Sequence, residues 1–147
     1  AFRDQLTLDC LNELLSWLDE SAPEGGGCAC GILDATNTTK ERRQMLMQRC
    51  AQEEPRVQLV FLELICNDEA ILAHNYRLKL ANDDYKGRDA ESSLADFMVR
   101  VEQYEKVYEQ IDDDEKHDEQ PIRYIQMVDA GRKLIVANGQ GRARVMS

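Results

Sequence analysis

The stretch "RVQLVFLELIC", residues 56–66, constrains the fold more than any other part of the chain. It is a near-continuous apolar run, rich in β-branched and aromatic side chains and interrupted only by Gln58 and Glu63. A strand with one wet face alternates apolar and polar residues, whereas a parallel strand covered on both faces is apolar throughout. The run therefore predicts a covered parallel strand. It is also too short to cross a bilayer.

Helical patterns flank it. Leu8, Leu11, Leu15 and Leu18 recur at helical spacing, which predicts an amphipathic helix over roughly the first 20 residues, with Trp17 near its end. "SAPEGGG" breaks that helix, and "CACGIL", short and bounded by glycines, reads as a second buried strand. Thr38 followed by Glu41 is the capping-box pattern and predicts a helix to about residue 53, closed by Pro55. A helix over 68–81 follows the central strand, and then "NDDYKGRDAESS", rich in turn formers, reads as a loop. Phe97, Val101, Tyr104, Tyr108 and Ile111 mark one face of a longer helix from about residue 91. "DDDEKHDEQP" reads as a solvated loop, with an acidic docking site as the alternative. "IRYIQMVDAG" and "KLIVANG" read as two strands joined by a tight turn at Gly131.

Strands alternating with helices imply right-handed crossovers and an α/β fold: a mostly parallel sheet with helices on both faces, in a single domain over residues 1–147. Ligands in such folds bind at the carboxyl ends of the strands. The chain opens inside a helical pattern without an initial Met, which is expected of a piece of a longer polypeptide. No secretory signal is visible.

Charge narrows the chemistry. With 18 basic and 28 acidic residues the formal net charge is -10, which argues against nonspecific binding to nucleic acid or an anionic membrane. A phosphate site must then be a local basic cluster. The five cysteines, Cys10, Cys28, Cys30, Cys50 and Cys66, include no C-x-x-C pair, and His74 and His117 add little, so no structural zinc is expected. Free thiols in a reducing cytoplasm are the simpler reading.

The chemistry concentrates in "LDATNTTKERR", residues 33–43. Asp34 is expected where a parallel strand ends and a helix begins. There it could bind Mg²⁺, accept a proton from an attacking hydroxyl, or simply cap the turn. The capped helix start would present free backbone N–H groups and positive dipole to an anion. Arg42 and Arg43 lie in that first turn, where the dipole disfavours cations unless an anion or surface carboxylates compensate. Arg100, among Phe97, Val101 and Tyr104, is expected near an apolar stripe, where a buried guanidinium wants a carboxylate or phosphate. Asn75 and Lys79 are one helical turn apart. Cys66 ends the central strand with no base at a recognisable spacing, and so reads as a structural thiol.

"LDATNTTKERR", followed in order by "FLELICND", "NYRLK", "DY", "ADFMVRVEQYEKVYE" and "YIQMVDAG", resembles the kinase domain of bifunctional 6-phosphofructo-2-kinase/fructose-2,6-bisphosphatase from residue 3 to about residue 136. The resemblance implies a P-loop-type α/β domain that phosphorylates fructose 6-phosphate at its 2-hydroxyl with ATP and regulates glycolysis and gluconeogenesis from the cytoplasm. Asp34 would be the catalytic acid at the end of a Walker-B-like strand, with Mg²⁺ as a candidate ligand, and Cys66 part of the active site. Arg3, Thr36, Arg42, Lys79, Arg100 and Tyr104 match fructose 6-phosphate contacts, and Asn75, Tyr76, Arg77, Leu78 and Lys79 match the segment that contacts ATP. The two arginines would thus sit where the family holds a sugar phosphate. The resemblance leaves room for a homodimer in the full-length protein.

The chain also departs from the family pattern. It is one residue shorter between Lys79 and Tyr85, with Asp83-Asp84 where Ser/Pro-Asp is common; "ESAPEGGGCA" is longer than usual, and the segment after Asn138 is shorter. Neither a G-x-x-x-x-G-K-[ST] loop nor the Arg-His-Gly motif of the bisphosphatase half is present. The chain therefore reads as the carboxyl-terminal part of a kinase domain, incomplete at its N-terminus and inactive alone. Another P-loop small-molecule kinase, or a noncatalytic regulatory module on the same fold, are the alternatives.

Overall fold

In the computed structural model, residues 2–21, 29–54, 57–81 and 89–139 are described. Helix α1, Phe2–Glu20, buries Leu11 and Leu15, as the leucine stripe predicts. Helix α2, Lys40–Cys50, starts one residue later than the expected capping box: Thr39, in extended conformation, is the N-cap and accepts from the Arg42 N–H. Thr39 Oγ1 reaches that N–H, so neither Thr38 nor Glu41 caps the helix. The two helices run parallel. Arg42 donates to Thr7 and Asp4, and one helical stretch further on Arg49 Nε donates to Asn12 Oδ1 at 2.6 Å. Helix α3, Glu69–Leu80, is capped by Asp68, whose carboxylate accepts from the N–H groups of Ala70 and Ile71 at 2.9 and 3.1 Å. Helix α4, Ala90–Val107, is capped in the same way by Asp89. Most of the loop predicted before α4 lies outside the described residues.

The main sheet has three strands in the order β1-β4-β5: β1, Phe61–Ile65; β4, Tyr124–Val128; and β5, Lys133–Ala137. Strands β1 and β4 are parallel, while β4 and β5 are antiparallel. The described sheet is thus mixed rather than mostly parallel. The reason is local, because the turn Asp129–Gly131 can join only antiparallel neighbours and a parallel pair needs a long crossover. Gly131 sits at φ +91° in that turn, where a side chain would be strained.

Two short strands, β2 (Lys116–His117) and β3 (Gln120–Pro121), form an antiparallel hairpin around Asp118 and Glu119, both at positive φ. The acidic run is therefore a hairpin rather than a loop, mostly exposed as expected but anchored at three points. Its Glu115 is buried, Asp112 pairs with Lys40, and Asp113 accepts from the Tyr124 hydroxyl at 2.8 Å.

The inner sheet face carries the rows Phe61–Tyr124–Ala137 and Glu63–Gln126–Ile135. Phe61 and Tyr124 join Leu11, Leu15, Leu46, Cys50, Ile111 and Ile122 in the core, where burial pushes the Cys50 thiol pKa up. The outer face carries Leu62–Ile125–Val136 and Leu64–Met127–Leu134. Leu62, Leu64, Leu134 and Val136 are 58–70% exposed, so among the described residues β1, expected to be covered on both faces, is covered on one face only.

Two further expectations are corrected. Residues 29–33, the described part of "CACGIL", form no strand, and Ile32 is 86% exposed. A strand needs a neighbouring strand to pair its backbone groups, and no described strand pairs with this segment. Ile111 lies beyond α4, because the backbone turns extended at Tyr108, and it enters the core from the following segment.

Candidate functional site

The start of α2 carries Arg42 and closely follows Thr36, two of the expected substrate residues. The Arg42 guanidinium is held by Thr7 Oγ1 and the Asp4 carboxylate in the first turns of α1, adjacent to exposed Arg3. Arg43 points the opposite way and is 1% exposed. Its Nε and Nη2 bind the two oxygens of Glu115 at 2.9 and 2.6 Å, and its Nη1 donates to the Asn37 carbonyl oxygen at 3.1 Å. Arg43 is therefore internally paired, which corrects the expectation that both arginines face a sugar phosphate. Asn37 adopts φ +42°, and its Oδ1 is buried with no donor among the described residues.

The segment after α4 straps this turn from outside. Glu109 N–H donates to the Thr38 carbonyl at 2.8 Å, and the Glu109 carboxylate accepts from the Lys40 N–H at 2.6 Å. Lys40 Nζ meets Asp112 at 2.5 Å. That hydrogen bond holds the Asp112 carboxyl below its usual range and raises the Lys40 ammonium. The α2 N-terminus is consequently not an open anion site: Thr39 and Glu109 already take two of its N–H groups, and the dipole has a carboxylate partner.

Asp34 and Thr36 lie in exposed coil ahead of this turn, not at a strand tip, and no described residue bonds to the Asp34 carboxylate. Tyr104 is partly exposed on the last turns of α4, whose C-terminal end leads directly into the strap. Arg100 is exposed rather than buried among apolar neighbours. On α3, Asn75, Arg77 and Leu78 are exposed and Lys79 is half-buried, while the Tyr76 ring packs edge-on against Phe97 at 5.2 Å. That contact ties the expected nucleotide segment to α4. Cys66 follows β1 at its carboxyl end, half-buried, with its thiol 3.8 Å from the Asp68 carbonyl oxygen.

The fold thus brings Arg42 to the α1 turn that bears Arg3, and brings the turn after Thr36 to the end of α4 that bears Tyr104. It does not link Asp34 to Cys66 by any contact among the described residues. A cavity of about 260 Å³ lies at the amino ends of β1 and β4, lined by Cys50, Phe61, His117, Ile122 and Arg123 among others. None of the expected site residues lines it.

Sequence reasoning missed two acidic residues that organise this region. Glu63, read as an interruption of an apolar run, is buried and accepts from the Tyr108 hydroxyl at 2.5 Å, Ile111 N–H at 3.0 Å and Gln126 Nε2 at 2.7 Å. Burial, followed by that bond, pushes the Tyr108 hydroxyl pKa up. Asp129, just past β4, accepts from the N–H groups of Asn67 and Asp68 at 2.7 and 3.0 Å and so shapes the chain leaving β1. An acid inside or just after an apolar run was the available signal.

Among the described residues no three His, Cys, Asp or Glu side chains gather into a metal site. One exposed carboxylate at Asp34 does suit Mg²⁺, which keeps most of its waters and takes one or two protein carboxylates together with substrate phosphates. No described helix is long and apolar enough to cross a membrane.

Comparison with known proteins places these residues in context. The sequence model of a family described as 6-phosphofructo-2-kinase matches residues 1–146. The chain is similar to 6-phosphofructo-2-kinase 1 of Saccharomyces cerevisiae, 45% identical over 139 residues, covering 95% of this chain and 16% of the yeast protein. It is also similar to a probable 6-phosphofructo-2-kinase of Schizosaccharomyces pombe, 39% identical over 95% of this chain and 20% of that protein. A third relative, 6-phosphofructo-2-kinase/fructose-2,6-bisphosphatase 4 of Rattus norvegicus, is 38% identical over 91% of this chain and 27% of its own length. The chain therefore spans about a sixth to about a quarter of these relatives.

Proposed function

Because the chain belongs to the 6-phosphofructo-2-kinase family, we propose that it is the carboxyl-terminal part of a kinase domain that transfers the γ-phosphoryl group of ATP to the 2-hydroxyl of fructose 6-phosphate. The product, fructose 2,6-bisphosphate, would regulate glycolysis and gluconeogenesis. The observation that supports this reading is the bonding of Arg42 to Thr7 and Asp4 in the first turns of α1, the helix that also bears Arg3.

In this reading the chain works by positioning and by charge compensation. Thr7 and Asp4 fix the plane of the Arg42 guanidinium before substrate arrives, so its remaining N–H groups meet a phosphate without first being ordered. Asp4 is a local competitor for that charge, and exposed Arg3 beside it offsets it. Thr36, Lys79, Arg100 and Tyr104 complete the sugar-phosphate contacts, and residues 75–79 of α3 face the nucleotide. Asp34, exposed and unpaired with any described residue, either takes the proton of the attacking hydroxyl or holds Mg²⁺. The ion, when bound, would neutralise charge developing on the transferred phosphoryl group. Cys66 supports the site and is no nucleophile. The complete domain would be a P-loop α/β fold with a mostly parallel sheet, cytoplasmic, with a homodimer open to it.

Asp34→Asn, introduced into the full-length protein that carries this segment, is expected to remove nearly all fructose 6-phosphate kinase activity while leaving the urea unfolding curve unchanged. The lost charge acts on a proton or a metal and not on packing. A rate within about threefold of wild type, less than ~1 kcal/mol in barrier, would refute the assignment.

A further inference from the structure

We propose that Glu115 is a positioning residue for the sugar-phosphate side of this site, acting through Arg43 on the turn at residues 37–39. The inference rests on the kinase reading above. A fully buried arginine–glutamate pair contributes little net stability compared with apolar residues of the same size, because desolvation offsets the attraction. What the pair does supply is geometry. Both Glu115 oxygens are engaged by Nε and Nη2, which locks the guanidinium plane and leaves Nη1 aimed at the Asn37 carbonyl.

Asn37, at positive φ, lies between Thr36 and the helix cap Thr39. Its carbonyl therefore sets how Asp34 and Thr36 are presented relative to Arg42. The same strap ties the turn twice more, through the Glu109 pair of bonds with Thr38 and Lys40 and through the Lys40–Asp112 ion pair. Since the strap continues directly from α4, it couples the turn that carries Thr36 to the helix that carries Arg100 and Tyr104. Two groups of substrate contacts distant in sequence thus move as one unit.

The test uses Arg43→Met/Glu115→Leu in the full-length protein, a volume-matched apolar pair that keeps the core filled but removes the bond to Asn37. The expected result is a thermal midpoint at or above wild type, a KM for ATP within twofold, and a KM for fructose 6-phosphate raised at least tenfold. If the double variant is destabilised, Glu115→Gln replaces it, with at least a threefold rise in the same KM and none in that for ATP. A stable variant whose fructose 6-phosphate KM stays within twofold of wild type overturns the positioning role. Arg42→Ala, assayed alongside, separates the two levels. If it raises that KM while the Arg43/Glu115 variant does not, positioning alone fails; if neither moves it, the Arg42 contact fails together with the positioning role; and if the wild type does not phosphorylate fructose 6-phosphate, the kinase reading fails and the positioning role with it.

Discussion

Glu63 illustrates how a residue can be visible in the sequence and still have its role hidden. An acid in the middle of an apolar strand is conspicuous, but its three donors lie 45 to 63 positions away. Its carboxylate is retained in the core because the Tyr108 hydroxyl, the Ile111 amide and the Gln126 amide all point at it. Removing it leaves the buried Ile111 amide without its acceptor and strips one bond each from the half-exposed Tyr108 hydroxyl and from Gln126, which keeps its bond to the Ile111 carbonyl, so Glu63→Ala is expected to cost about 3 kcal/mol in a urea unfolding experiment. A loss below ~1 kcal/mol would mean that water reaches this part of the core. Arg43 teaches the same lesson. Its place beside Arg42 in "KERR" made the pair look alike, yet successive helical positions point about 100° apart, so one guanidinium meets α1 and the other enters the core.

Elements defined by their own residues were legible, and elements defined by a partner were not. Helix α3 starts where the sequence suggested because Asp68 caps its own N–H groups, a contact that spans three residues. "CACGIL" has the composition of a strand, but strand formation depends on a neighbour that no local pattern supplies. The acidic run 112–121 is a hairpin and not a loop, and two of its acids, Asp112 and Glu115, pair with Lys40 and Arg43 of α2, far away in sequence. The Tyr124 hydroxyl shows the consequence: its bond to Asp113, followed by burial, raises its pKa from 10.0 to about 12. The folded state thus favours the protonated phenol. The stabilisation this gives is fully present below pH 10 and is lost as pH rises toward about 12. Wild type should therefore exceed Tyr124→Phe in stability by a constant margin up to about pH 10, and that margin should shrink from there to about pH 12. A margin that is flat across this range would show that the hydroxyl gains nothing from Asp113.

Taken together, the elements form one core on the inner side of a three-stranded mixed sheet and leave two apolar rows on its outer side. The edge of β1 away from β4 also pairs with no described strand. Such a face and edge favour association. The polypeptide of residues 1–147 is expected to sediment as concentration-dependent oligomers and to show no turnover of fructose 6-phosphate, and Leu64→Lys/Val136→Glu should shift it toward monomer. A wild-type chain that stays monomeric at high concentration would show that the exposed rows are covered in solution.

The amino-acid sequence determined the α/β class, the extents of α1 and α3, the β4–β5 hairpin and the identity of the family, because each rests on spacing or motif within a short window. Tertiary structure alone decided that Arg43 is internal, that Glu109 occupies the amino end of α2, that Glu63 is a buried acceptor and that the described sheet is mixed. Each of these depends on which distant groups meet, and that is set by the packing of helices and strands joined through long connections.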